Sequence, residues 1–175
     1  KQHHTVIMTP GTHCYFDYYQ VGKEGQKKEA LTGSKRYTTV EKVYSYEPTP
    51  SELSAEERKY ILGAQGNVWT EYITTPKQVE YMVFPRAIAL AEVVWSAKEN
   101  RNYKNFVNRL VHFNKRLDVM NVNYAKHLYE VKAEVLNDNG RLTLQLETTT
   151  DHKIIYSLDG KKPNYLLHSE YKRPI

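Results

Sequence analysis

Two short segments place an aromatic ring and a carboxylate two residues apart: Tyr15 and Asp17 in CYFDYYQ, and Trp69 and Glu71 in GAQGNVWTEY. An aromatic face covers the apolar C–H side of a sugar, while an ionised carboxylate accepts charge-assisted hydrogen bonds from hydroxyls. If both segments sit at strand ends on one side of a sheet, the four residues form a carbohydrate-binding set. For Trp69 alone, a packed core indole is the competing reading. The small residues before it, Gly63, Ala64 and Gly66, allow close backbone approach ahead of the ring. Other chemistry is thinner. His3 and His4 are neighbours and would point to opposite faces of a strand, so with His13 they make a poor ligand set, and no metal is expected. Cys14 is the single cysteine. It rules out an internal disulfide and is expected to be a buried, inert thiol.

These residues need elements to hold them. Residues 5–9, TVIMT, form a β-branched apolar run bounded by Pro10 and Gly11, which predicts a strand buried on both faces of a parallel sheet. AQGNVWT predicts a second such strand near residues 64–69. Between them, VGKEGQKKEALTGSKRYTTV reads as an extended polar loop, solvated over residues 23–36. VEKVYSY then reads as extended. Ser54 and Glu57 have capping-box spacing, and the helix they start is expected to end at Gly63. Pro76 opens the clearest helical pattern, over residues 76–97, with Val79, Met82, Val83, Ala87, Leu90, Ala91, Val94 and Trp95 near one face. Pro85 must kink or restart it. A last helix over residues 103–120 carries Phe106, Leu110, Phe113 and Leu117. Beyond residue 128 the period changes to two. Asn139-Gly140 marks a hairpin, and KIIYSLDGKKPN supplies a third strand with an Asp-Gly turn. Strand, helix, strand, helix order in the first part predicts an α/β fold, with ligands beyond the carboxyl ends of the strands.

Composition narrows the classes. The chain has 175 residues, 40% of them hydrophobic, and no stretch approaching the ~20 apolar residues of a membrane helix. The net charge is +5, but Lys and Arg are spread along the chain, so no nucleic-acid partner is expected. KQHHTVIMTPG lacks the pattern of a signal peptide. Tyrosine occurs 15 times; its amphipathic ring suits both half-buried element faces and surfaces that grip polar ligands.

VIMTPGTHCYFDYYQ, ILGAQGNVWTEYI and YMVFPRAIALAEVVWS, in that order, resemble the C-terminal part of the catalytic barrel of the β-N-acetylhexosaminidases of glycoside hydrolase family 20. The resemblance runs over residues 5–120, and IIYSLDGKKPN with SEYKRPI resembles the small β domain that trails many of these enzymes. It implies an α/β fold made of the C-terminal βα units of a (β/α)8 TIM barrel in residues 1–125, the strand at 5–9 being the seventh and that near 64–69 the eighth. A small, truncated immunoglobulin- or fibronectin-like β domain, partly a β-sandwich, is implied for residues 126–175. Arg86 and Glu92 are then expected to make structural pairs at the barrel wall.

The implied chemistry is exo-acting, substrate-assisted retaining hydrolysis of terminal N-acetylhexosamine, a recognised exception to the two-carboxylate scheme. The substrate acetamide replaces the enzymic nucleophile and forms an oxazolinium ion. Tyr15 matches the catalytic tyrosine that positions the acetamide oxygen. Asp17 and Glu71 match carboxylates that bind sugar hydroxyls, and Trp69 matches a wall of the terminal-sugar pocket. No cofactor is implied. The implied partners are N-acetylhexosamine-terminated glycans and the rest of the barrel, or self-association. Relatives of this kind are commonly exported or lysosomal, and the lone cysteine leans towards a bacterial periplasmic or exported setting. The family also uses an adjacent Asp-Glu pair as acetamide stabiliser and general acid, and this sequence has no Asp-Glu dipeptide. A barrel needs about 200–250 residues. The expectation is therefore a fragment, inactive alone, that supplies sugar-binding residues. A non-catalytic carbohydrate-binding module, or an interaction fragment using its β tail by edge pairing, would fit the isolated chain as well.

Overall fold

The computed structural model describes residues 3–21 and 36–175. Most of the polar connection, residues 22–35, lies outside the described residues. The chain divides into two units, Lys1–His127 and Leu128–Ile175.

In the first unit, β1 (Val6–Met8) pairs in parallel with β2 (Ile61–Ala64). A one-turn helix, α1 (Gly11–Cys14), follows β1. The remaining helices are α2 (Val40–Tyr44), α3 (Ala55–Arg58), α4 (Pro76–Val83), α5 (Arg86–Trp95) and α6 (Tyr103–Val119). The expected fully buried first strand is corrected: Val6 is 40% and Ile7 55% exposed. Among the described residues its sheet has only these two strands, so its faces lack the cover that a wider sheet would give.

The helix at Ser54 has the expected capping box, but it ends at Arg58 instead of Gly63. ILGA is taken by the parallel ladder, which starts three residues before the predicted strand. Register slips between Val6 and Ile7, Leu62 is passed over, and Gly63 absorbs the irregularity with φ +145°. VEKVY is helical, not extended, because the Thr39 side chain caps the Lys42 N–H at 3.1 Å.

Pro85 restarts the helix as expected, after a cis Phe84–Pro85 bond. The restart also resets the helical phase. In α5 the buried residues are Arg86, Ala89, Leu90 and Val93, while Ala91, Val94 and Trp95, expected on the apolar face, are exposed. In α6, Phe106, Leu110 and Leu117 are buried as expected. Phe113 is 38% exposed, and Val107 and Asn114 complete the buried face. Tyr19, Ile73, Tyr81, Met82 and Ala125 form one core cluster with Val68 and Val79 packed on it. Tyr44 of α2 stacks on Phe106 at 4.6 Å.

The second unit opens with the predicted hairpin, β3 (Val131–Asp138) antiparallel to β4 (Arg141–Thr148). Asn139 and Gly140 turn with φ of 50° and 87°, as a two-residue primed turn requires. The expected third strand does not join it. β5 (Ile155–Tyr156) pairs with β6 (Ser169–Glu170) in a separate ladder. Beside β4 lies Ile175, which exchanges N–H···O bonds of 2.8 and 3.1 Å with Leu144.

Candidate functional site

The chain paths leaving β1 and β2 stay together past the strands. Gln65 N–H donates to the Met8 carbonyl (3.0 Å), Asn67 N–H to that of Cys14 (2.7 Å), and Phe16 N–H to that of Asn67 (2.7 Å). The Asn67 side chain donates to Thr9 Oγ1 at 2.7 Å and accepts from Gln65 Nε2 at 2.7 Å. Tyr15 and Asn67 thus form a parallel bridge, and the two sequence-predicted pairs emerge side by side. The Tyr15 and Trp69 rings stand 6.4 Å apart at 60°. Tyr18 adds a third ring 5.5 Å from Tyr15.

Close approach is set by Gly66. A Cβ there would lie 2.7 Å from Cε2 of Phe16, whose ring is buried at 2% exposure. Glycine is required at position 66 for contact with the Phe16 ring, whereas a Cβ at Gly63 would meet nothing within 4 Å. Trp69 itself is 51% exposed, unlike the packed core indole of the competing reading.

The two carboxylates differ. Glu71 is exposed, whereas Asp17 is half-buried and its Oδ1 is buried with no hydrogen-bond partner among the described residues. Asp17 is held above the usual carboxylate range, chiefly by desolvation and further by the nearby Glu71 charge. Its own N–H, the Arg86 guanidinium and the Trp69 N–H pull the other way. An acceptor oxygen that is shielded from water and unpaired keeps hydrogen-bonding capacity that the described residues do not use.

Under this surface lies Arg86, fully buried at 0% exposure. Its Nη1 donates to the Tyr18 (2.8 Å) and Thr38 (3.2 Å) carbonyls, Nη2 to Phe16 (2.5 Å) and Met82, and Nε to Met82 (3.1 Å). The guanidinium carbon also lies 5.0 Å from the Phe16 ring centroid. Burial lowers its pKa to about 9 while Asp17 raises it. Every acceptor around it demands an N–H donor, which fixes the charged form. Arg86 is expected from the sequence to pair structurally at the barrel wall. The structure gives it carbonyl partners, and the available signal was a lone arginine among apolar residues of a helix, directly after a proline. Glu92 does pair structurally, accepting from Tyr44 Oη at 2.8 Å and Arg109 Nη2 at 2.6 Å.

The remaining candidates are the histidines and Cys14. His3 and His4 line a cavity of about 500 Å³ with Val6, Leu53, Glu57, Tyr60 and Ile61. His13 stacks on Tyr46 at 5.0 Å, with its pKa lowered by burial and by Lys42. Among the described residues no three His, Cys, Asp or Glu side chains group as metal ligands. Cys14 is fully buried, and desolvation pushes its thiol up to about 11, so it is unreactive near neutrality.

By fold the first unit is an α/β protein with a parallel ladder and helical cover. Residues 1–98 match the model of "Glycosyl hydrolase family 20, catalytic domain", and the chain belongs to that family. It is 34% identical over 179 residues to a β-hexosaminidase of Porphyromonas gingivalis, covering 100% of this chain and 22% of that protein. Against a β-N-acetylhexosaminidase of Cellulomonas fimi it is 31% identical over 108 residues, 60% of this chain and 20% of the relative. Among solved structures, the exo-β-N-acetylglucosaminidase of Vibrio harveyi in complex with N-acetylglucosamine superposes with a TM-score of 0.56 at 33% identity, over 69% of this chain and 19% of that one. The β-N-acetylhexosaminidase of Streptomyces coelicolor shares the fold with a TM-score of 0.58 at 23% identity, over 70% of this chain and 24% of that one. The chain spans 22% and 20% of the first two relatives by length.

Proposed function

We propose that this chain is part of an exo-acting β-N-acetylhexosaminidase that removes terminal N-acetylhexosamine by substrate-assisted retaining hydrolysis. Residues 1–125 are the C-terminal βα units of its barrel, and residues 126–175 part of a small immunoglobulin- or fibronectin-like β domain. The observation that carries the reading is the Tyr15–Trp69 ring pair 6.4 Å apart on the segments that continue two parallel strands, with Asp17, whose buried Oδ1 has no partner among the described residues, two residues along from Tyr15. Trp69 stacks on the terminal sugar, and Asp17 and Glu71 accept from its hydroxyls. The Tyr15 hydroxyl donates to the acetamide oxygen and holds it under the anomeric carbon, which makes the internal attack a positioned, unimolecular step.

The general acid comes from outside the chain, because the sequence has no Asp-Glu pair. The exposed apolar residues Val6, Ile7 and Leu62 are the surface on which the rest of the barrel closes.

The test is release of nitrophenol from nitrophenyl N-acetyl-β-glucosaminide by the 175-residue chain and by the longer protein that contains it. The chain should be silent and the longer protein active, with Tyr15→Phe lowering kcat by about 100-fold. Turnover by the chain itself would reveal an acid within it and refute the split site. Saturable N-acetylglucosamine binding with no turnover by either would identify a carbohydrate-binding module, the reading that the missing Asp-Glu pair favours.

A further inference from the structure

We infer that Arg86 is the positioning residue of this site, setting the Tyr15–Asp17 segment against the segment that carries Trp69 through the Phe16 ring and the carbonyls of Phe16 and Tyr18. The inference rests on the function proposed above and adds a residue that does not itself face the ligand.

Three observations converge on it. First, the guanidinium takes its acceptors from the residues on either side of Asp17: Phe16 at 2.5 Å and Tyr18 at 2.8 Å. The remaining donors reach Thr38, at the far end of the polar connection, and Met82 in α4. A single side chain thus fixes the backbone plane from which Tyr15 and Asp17 project, and it does so from 68 to 70 residues away in sequence. Second, Phe16 is clamped between elements. Its ring lies 5.0 Å from the Arg86 guanidinium carbon and against Gly66, where even a methyl group would approach to 2.7 Å. Gly66 lies on the segment that carries Trp69. Movement of Arg86 therefore passes through Phe16 to the separation of the two rings. Third, the charge is fully buried and, among the described residues, no carboxylate is hydrogen-bonded to it, although the Asp17 charge acts on it from nearby. Removing a cation from water is unfavourable, and here its planar fork is used wholly on main-chain carbonyls. Gln20 reinforces the same segment, its Nε2 donating to the Tyr81 and Phe84 carbonyls.

Lysine cannot reproduce this arrangement, because an ammonium is a point donor without the planar fork. Arg86→Lys keeps the charge and releases the geometry. In the longer protein, Arg86→Lys should lower kcat/KM for nitrophenyl N-acetyl-β-glucosaminide by about 10- to 100-fold, the size expected of a misplacement of about 1 Å, mostly in kcat. Combined with Tyr15→Phe, the two losses should be far from additive, because Arg86 acts through the placement of Tyr15. Gly66→Ala is the second variant. It retains Arg86 and displaces Phe16 from the other side, and should give the same kcat-weighted, non-additive loss. That variant decides the matter if Arg86→Lys does not fold.

Slowed turnover that is simply additive with Tyr15→Phe, or a fall in melting temperature with kcat unchanged, would mean that Arg86 only stabilises the fold and would overturn the inference. Wild-type kinetics in either folded variant, with Tyr15→Phe still slow, would overturn it while leaving the proposed function standing. An inactive wild type, or a Tyr15→Phe protein at full rate, would remove the function reading and this inference with it.

Discussion

The two strand ends carry the same ring-x-acid spacing but are built differently. At the first, Phe16 and Cys14 are buried and Arg86 ties the backbone down from below. At the second, Trp69, Glu71 and Tyr72 are exposed, and the strand is fixed through its main chain and through Gly66 against Phe16. A short motif therefore does not define its own rigidity. One end is preorganised by tertiary contacts within this chain, whereas the other offers a ring to solvent and is the end a ligand would cover.

The sharpest way to break this comparison is Arg86→Met. It leaves the Phe16, Tyr18, Thr38 and Met82 carbonyls without their donor, at roughly 1–3 kcal/mol for each group that stays unpaired, so urea unfolding should show the largest loss of any variant here. An unchanged midpoint would remove the rigid end of the contrast. Gly66→Ala comes next: its methyl meets a ring already packed, and overpacking of this kind costs about 1–3 kcal/mol, read as a lower denaturation midpoint.

Trp69→Ala tests the open end. With Trp69 half-exposed, stability should fall by about 1 kcal/mol or less, while N-acetylglucosamine affinity in the longer protein should weaken by about 1–3 kcal/mol, measured by calorimetry. A large stability loss with unchanged affinity would make Trp69 a structural residue.

The smallest effect concerns pH. Asp17 has a raised pKa in the folded chain, so the fold binds its proton more tightly than the unfolded chain does. The stability this contributes is full below the ordinary aspartate value and is lost as pH rises through the raised value. Asp17→Asn should flatten that decline in the weakly acidic range, and a stability profile with the same slope as wild type would show that Asp17 is not the group responsible.

Much of this was legible in the chain itself. The capping box at Ser54 and Glu57, the break at Pro85 and the Asn139-Gly140 turn all follow from local preferences. Errors arose where distant contacts outweighed them. Gly63 reads as a helix cap but sits in a strand, because its parallel partner Ile7, 56 residues away, belongs to the run that captures ILGA. Trp95 reads as core, yet it is 89% exposed because Pro85 resets the phase of α5.

What the sequence determined by itself is the set of chemical groups and their spacing: ring, acid, ring, acid, on segments that follow apolar runs, with glycine where a ring must pass. Those properties depend on residue type and on neighbours within a turn or two, which any stretch of chain carries with it. Only the tertiary structure decided that the two pairs stand together, that Asp17 buries one oxygen without a partner among the described residues, and that Arg86 is spent on carbonyls and not on a carboxylate. Each depends on which surfaces exclude water and which donors meet across separations of 48 to 70 residues, and no local periodicity encodes such a meeting.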